Sequence, residues 1–238
     1  MNRTLDWRGN YDPRSRAFSA VEGIEEHPLA SRYWPCGTVL DQGAEGACVG
    51  FGWSAELAAK PKIVKTDNDF ARGLYYRARQ LDDRDGEDYE GTSVLAGAKA
   101  VMEHVNSKGN PLIKEYRWAF GVEDVLRVVA HRGPIVLGID WYSNMYQPDD
   151  RYYIHAEGDI VGGHCILLNG SELVELDPAQ PLTISNLDRD ASRVILHNSW
   201  GADWGLNGEG MLSVTDLYKL LETQGGEACI PMQRYRNH

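Results

Sequence analysis

The run DQGAEGACVGFGW, from Asp41 to Trp53, puts a thiol where it can serve as a nucleophile. Gly43, Gly46 and Ala47 make a compact loop, and Cys48 then opens a helix whose first N–H groups lack intrahelical acceptors and favour a thiolate. An ordinary cysteine, with a pKa near ~8.5, is mostly neutral at neutral pH, but a helix N-terminus or a neighbouring imidazolium lowers that value to about 3.5–7.5. By itself Cys48 reads first as a small apolar residue on a buried helix face. Two later segments supply context: VGGHCILLNG sets His164 in a strand after a Gly-Gly step, and RVILHNSWGADWGLNGEGML sets Asn198 near a strand end, followed by Ser199-Trp200-Gly201. No GxSxG elbow, P-loop, GxGxxG or HExxH run offers a competing chemistry.

The elements around these residues divide the chain. Residues 1–35 are polar and Pro-containing without a clear period, and are predicted to lie extended over the domain surface. Ala47 to Lys60 is apolar nearly all round and stops before Pro61, the pattern of a buried helix. Helices are also predicted over 69–81, over 92–107 with Thr92 or Ser93 as N-cap, and over 121–131. From Gly133-Pro134 onward the texture turns to short β-branched runs, at 135–141, 159–168, 172–176, 193–200 and 210–214, with a short helix over 216–222 and a final strand ACIPM. The fold class is therefore α+β: a helical lobe of about 41–120 packed on an antiparallel, barrel-like β lobe of about 121–238, with residues 1–40 as an N-terminal extension.

Cys48, His164 and Asn198 in this order, with Gln42 five residues before Ala47-Cys48, resemble the papain-like cysteine peptidases. The likeness is strongest in N-S-W-G-x-x-W-G-x-N-G, matched at eight of eleven positions by Asn198, Ser199, Trp200, Gly201, Trp204, Gly205, Asn207 and Gly208. His164 follows Cys48 by 116 residues and Asn198 follows it by 150, against about 130–150 for the partners in the family. The resemblance implies a cleft between the lobes. It makes Cys48 the nucleophile, His164 the general base and then acid, and Asn198 the residue that orients His164. Gln42 and the Cys48 N–H become the oxyanion donors, and Trp200 the cover over the His–Asn hydrogen bond. It implies thiol-dependent hydrolysis of a peptide or protein through an acyl-enzyme, with no cofactor and no metal. Two alternatives are a papain-fold scaffold that binds peptide without cleaving it, and a hydrolase of cell-wall or other non-protein amides. Gly91, Thr92, Gly163 and Trp200 are candidates for contact with the substrate. Glu45 and Val49 depart from the family pattern; a Glu45 carboxylate facing the thiolate would raise the thiol pKa. Cys165 is expected to face away from the site into the core.

Composition sets the remaining bounds. With 24 Lys+Arg against 35 Asp+Glu, the net charge of −11 argues against nucleic acid or anionic lipid as the main partner. Four scattered cysteines without a CxxC pair suggest neither a disulfide framework nor a zinc site. The acidic stretch 82–90 fails as a calcium loop, because Leu81 and Thr92 stand at the required ligand positions, and reads as a solvated loop. The N-terminus carries no apolar signal run and no stretch long enough to cross a bilayer, which points to a cytoplasmic protein. No pro-segment of the usual family size fits before Asp41. This compact form is similar to bacterial and bacteriophage members.

Overall fold

The structure is a computed structural model that describes residues 4–10, 12–82 and 90–233. Most of the expected acidic loop, residues 83–89, lies outside them. Helix α1 (Cys48–Ala58) is buried on all sides except at Ala55, as its unbroken apolar sequence requires. Glycine is a poor helix former by about 1 kcal/mol, yet Gly50 and Gly52 are needed here. A Cβ on Gly50 would lie 2.3 Å from the Ala71 carbonyl oxygen of α2 (Asn68–Leu81), and one on Gly52 would lie 2.9 Å from Cys165 Sγ. Their bare backbone lets α1 sit directly on α2 and the sheet.

Asp67 caps α2 by accepting the Phe70 N–H, and Ser93 caps α3 (Val94–Glu103) by accepting the Ala96 N–H. The last helix of this half stops short of the predicted Ser107. There the Asn106 side chain accepts the N–H groups of Lys108 and Asn110, so a side-chain turn replaces the next helical hydrogen bonds. Helix α4 (Gly121–His131) has the predicted bounds.

Among the described residues, seven strands form one antiparallel sheet: β1 (Arg32–Tyr33), β2 (Glu115–Ala119), β3 (Ile135–Tyr142), β4 (Ile160–Glu172), β5 (Arg193–His197), β6 (Glu209–Ser213) and β7 (Glu227–Met232). The order is β2-β7-β3-β4-β5-β6, with β1 added on β4. The sheet is open, so barrel-like describes it only loosely. Strand alternation gives it two apolar faces. Val136, Cys165, Leu167 and Cys229 pack with α1 and α3, while Ile135, Leu137, Ile139, Ile166, Leu168 and Ile230 pack with α4 and α5 (Val214–Tyr218). The predicted strand over 172–176 is absent: β4 runs unbroken to Glu172, and beyond it Glu175 makes only an isolated bridge to Leu187. No described helix is long and apolar enough to cross a membrane.

Candidate active site

Cys48 is the first residue of α1, and its N-cap, Ala47, offers no side-chain acceptor to the first-turn N–H groups. The positive end of the helix is therefore left to act on whatever lies beside the thiol. Gln42 sits in the preceding loop, 1% exposed, with Nε2 donating to the Glu45 carbonyl at 2.8 Å. Its Oε1 accepts the Ser199 hydroxyl at 2.7 Å, and its backbone N–H donates to the Ser199 carbonyl at 2.9 Å. His164 lies on β4, and Asn198 directly follows β5. Both are buried, and His164 Nε2 lies 2.9 Å from Asn198 Oδ1. The same oxygen accepts the Ser199 N–H at 2.8 Å, which makes it an acceptor and Nε2 the protonated ring nitrogen. Nδ1 makes no hydrogen bond to any described group. Trp200 covers the imidazole, with its ring centroid 5.0 Å from that of His164.

Burial decides the charge state. It pushes the Cys48 thiol up to about 11, with the Asp6 carboxyl adding to the effect and backbone hydrogen bonds from Cys165, Asp6 and Val49 opposing it. Burial also pulls His164 down to about 4, against the partial support of Asn198. The pair is thus a neutral thiol and a neutral imidazole in this conformation. Glu45, the suspected neighbour, turns instead to Arg72 (3.2 Å) and the Tyr76 hydroxyl (2.5 Å). Val49 is fully buried. Cys165 is in the core as expected but does not face away from Cys48: its side chain packs on the α1 side, and its backbone opposes the thiol shift. Alternation separates it from His164, and α1 lies on the face that receives it.

The N-terminal residues correct the expected surface path. Residues 4–8 run between Gly91-Thr92 and Gly163. The Trp7 N–H donates to the Gly163 carbonyl at 2.8 Å, the Thr92 N–H donates to the Asp6 carbonyl at 3.2 Å, and the Arg8 N–H donates to the Thr92 carbonyl at 3.3 Å. Gln42 Nε2 also donates to the Thr4 carbonyl, at 3.3 Å. A Cβ on Gly91 would lie 1.7 Å from the Asp6 oxygen, and one on Gly163 would lie 2.2 Å from the Trp7 oxygen. The Trp7 ring is 8% exposed, and its Nε1 donates to Glu227 Oε1 at 3.1 Å. The apolar indole gains more from this groove than from water, which is why the segment leaves the surface. The structure thus brings Gly91, Thr92 and Gly163 together, around the chain's own backbone.

Comparison with solved structures shows what this arrangement is built on. Xylellain, a cysteine protease from Xylella fastidiosa, superposes with a TM-score of 0.67 at 16% identity, over 98% of this chain and 97% of its own. The fold is papain-like. Procathepsin L 3 from the Tenebrio molitor larval midgut matches with a TM-score of 0.59 at 17% identity, over 98% of this chain and 76% of its own, and procathepsin B from Trypanosoma congolense with a TM-score of 0.55 at 16% identity, over 96% and 87%. No protein-family profile matches the sequence, and no curated protein does. Within this papain-like fold, three contributors escape sequence reading. Trp141 packs edge-on against His164 at 4.8 Å, Tyr146 stacks on Trp200 at 5.6 Å, and Asp6 reaches Cys48 from a distant part of the chain. Trp141 in IVLGIDW was the most legible of these, as an aromatic ending a buried strand. Beside Trp200 lies a groove of about 1010 Å³, lined by Tyr146, Trp204, Asp41, Asp149 and Asp203 among others.

Proposed function

We propose that this protein is a cysteine peptidase or closely related amide hydrolase using Cys48, His164 and Asn198. The observation that carries the reading is the His164–Asn198 bond at 2.9 Å, which fixes the protonated nitrogen and leaves a lone pair on Nδ1. In the proposed reaction Nδ1 takes the thiol proton as sulfur attacks the carbonyl carbon, and the imidazolium then protonates the leaving amine. Water, deprotonated by the same nitrogen, hydrolyses the thioester and restores the thiol. Gln42 Nε2 and the Cys48 N–H would hold the developing oxyanion, a type of contact worth roughly 2.7–4 kcal/mol in other hydrolases. The Thr4 carbonyl already accepts a hydrogen bond from that Gln42 amide. Trp200 would keep water from the His–Asn bond, and the backbone at Gly91, Thr92 and Gly163 would hold an extended peptide. The structural neighbours described as cysteine protease and procathepsins support a peptide or protein substrate.

The test is turnover of a fluorogenic peptide library by the wild type and by Cys48→Ala, with labelling by a papain-directed epoxide. Selective labelling of Cys48 and a loss of at least about 10⁴-fold in the variant support the reading; equal labelling of Cys36, Cys165 and Cys229 refutes it. One observation favours a second reading, a peptide-binding scaffold: both members of the Cys–His pair are neutral, and no hydrogen bond joins them. Under that reading Cys48→Ala retains peptide affinity and the wild type turns nothing over.

A further inference from the structure

A second cluster of reactive side chains lies behind Asn198, on the outer strands. Cys36 comes from the loop after β1, His197 ends β5 and Glu209 opens β6, where the last two are direct cross-strand partners. One ligand atom from each lies within 4.8 Å of the others. His197 is 5% exposed, yet its Nδ1 makes no hydrogen bond and faces Glu209 Oε1 across 3.5 Å. Asn169, wholly buried at the register shift in β4, also has a side-chain oxygen without a hydrogen bond. Each buried polar atom left without a partner is costly.

From this geometry we propose that Cys36, His197 and Glu209 bind a divalent transition-metal ion of the zinc class. A thiolate, an imidazole and a carboxylate are the donors such an ion selects over calcium or magnesium. Zinc bond lengths in a tetrahedron put neighbouring N, O and S ligands about 3.3–3.6 Å apart. The His197–Glu209 separation of 3.5 Å already meets that spacing, and the half-buried Cys36 closes the set by moving no more than about 1.3 Å. On binding, the Cys36 thiol gives up one proton to solvent, and His197 donates its Nδ1 lone pair. Glu209 donates a carboxylate oxygen, so two negative ligands balance the ion's charge. Water takes the fourth position. The Tyr33 hydroxyl, at 3.1 and 3.2 Å from the Glu209 oxygens, and Asn169 Nδ2, at 2.6 Å from Oε1, hold the carboxylate in place. The ion would pin the chain after β1 to the β5–β6 edge, one residue from Asn198, and the site is independent of the proposed hydrolysis.

The experiment uses chelator-treated Cys48→Ala protein, which removes the thiol of the proposed catalytic site, titrated with cobalt(II) and then zinc(II). The expected spectrum has the visible bands of tetrahedral cobalt and a near-ultraviolet thiolate-to-cobalt band, both erased by one equivalent of zinc. Zinc also raises the melting temperature. Adding Cys36→Ser removes the thiolate band and weakens binding at least about tenfold, and Glu209→Gln weakens it by a similar factor. A parent spectrum without the thiolate band overturns the proposal whatever the variants do, and so does a band that persists unchanged after Cys36→Ser in a variant with the parent's circular dichroism.

Discussion

If residues 4–8 compete with substrate for the same backbone partners, loosening them should release activity. Trp7→Ala is the sharpest perturbation, because the indole is 8% exposed and hydrogen-bonded through Nε1 to Glu227. Removing a buried tryptophan side chain costs about 3–5 kcal/mol, and the lower end suits a segment whose other side faces solvent. At about 1.4 kcal/mol per decade, 3 kcal/mol shifts the docked-to-undocked ratio by roughly 150-fold. An intramolecular competitor reduces the fraction of molecules able to bind substrate without touching the bound complex. The apparent KM should therefore fall, by up to about 150-fold, until the undocked form dominates, while kcat stays constant. Steady-state kinetics on a fluorogenic peptide separates the two constants, and alkylation of Cys48 by iodoacetamide, quenched in time and read by mass spectrometry, gives a substrate-free check. Unchanged KM together with unchanged alkylation, in a variant that melts cooperatively, would refute the competition argument.

Further outcomes follow from the same contacts. With the segment docked and the thiol at about 11, alkylation of wild-type Cys48 should keep rising with pH beyond neutrality, and in Trp7→Ala the rise should begin at lower pH. His164 sits at about 4 in the fold against 6.5 when exposed. Its folded value is depressed, so the stability it contributes is present above about 6.5 and lost as the pH falls toward 4, by roughly 3 kcal/mol; urea unfolding of the wild type should weaken over that window more steeply than that of His164→Gln. Gly50→Ala drives a methyl against the Ala71 carbonyl and should cost about 1–3 kcal/mol, measured by the same unfolding curves. Asn198→Ala should lower kcat far more than it raises KM, since it frees the imidazole without touching the Gly91, Thr92 and Gly163 backbone.

The helices that begin at Cys48 and end at His131 were legible because their apolar pattern and stop signals agree with their burial. The Asn198 segment was legible for a different reason, its density of Trp and Gly at fixed spacing. What the sequence hid depended on partners far along the chain. EYRWA, the strand β2, is short and half polar, and is held by distant partners on both sides, with Trp118 opposite Cys229 of β7 and bridged to Ser19. Residues 4–8 carry no periodicity, so nothing local tells that Trp7 enters a groove 156 residues before Gly163. The Cys36, His197 and Glu209 cluster leaves no CxxC-like spacing, because the β5–β6 pairing of His197 with Glu209 and a loop more than 150 residues earlier bring its members together.

Ser199 carries a consequence beyond its place in a motif. A carboxamide is nearly symmetric in shape but opposite in polarity at its two ends, so the Gln42 side chain fits its slot in either of two orientations. The hydroxyl of Ser199 and the Glu45 carbonyl read those ends differently, one offering a proton at 2.7 Å and the other refusing one. Ser199→Ala removes the donor at the oxygen end, while the reversed amide would still present oxygen to oxygen at the Thr4 and Glu45 carbonyls. The acceptor-only carbonyls of Thr4 and Glu45 thus set the sign of the Gln42 dipole, and a hydroxyl from the far half of the chain holds its oxygen end.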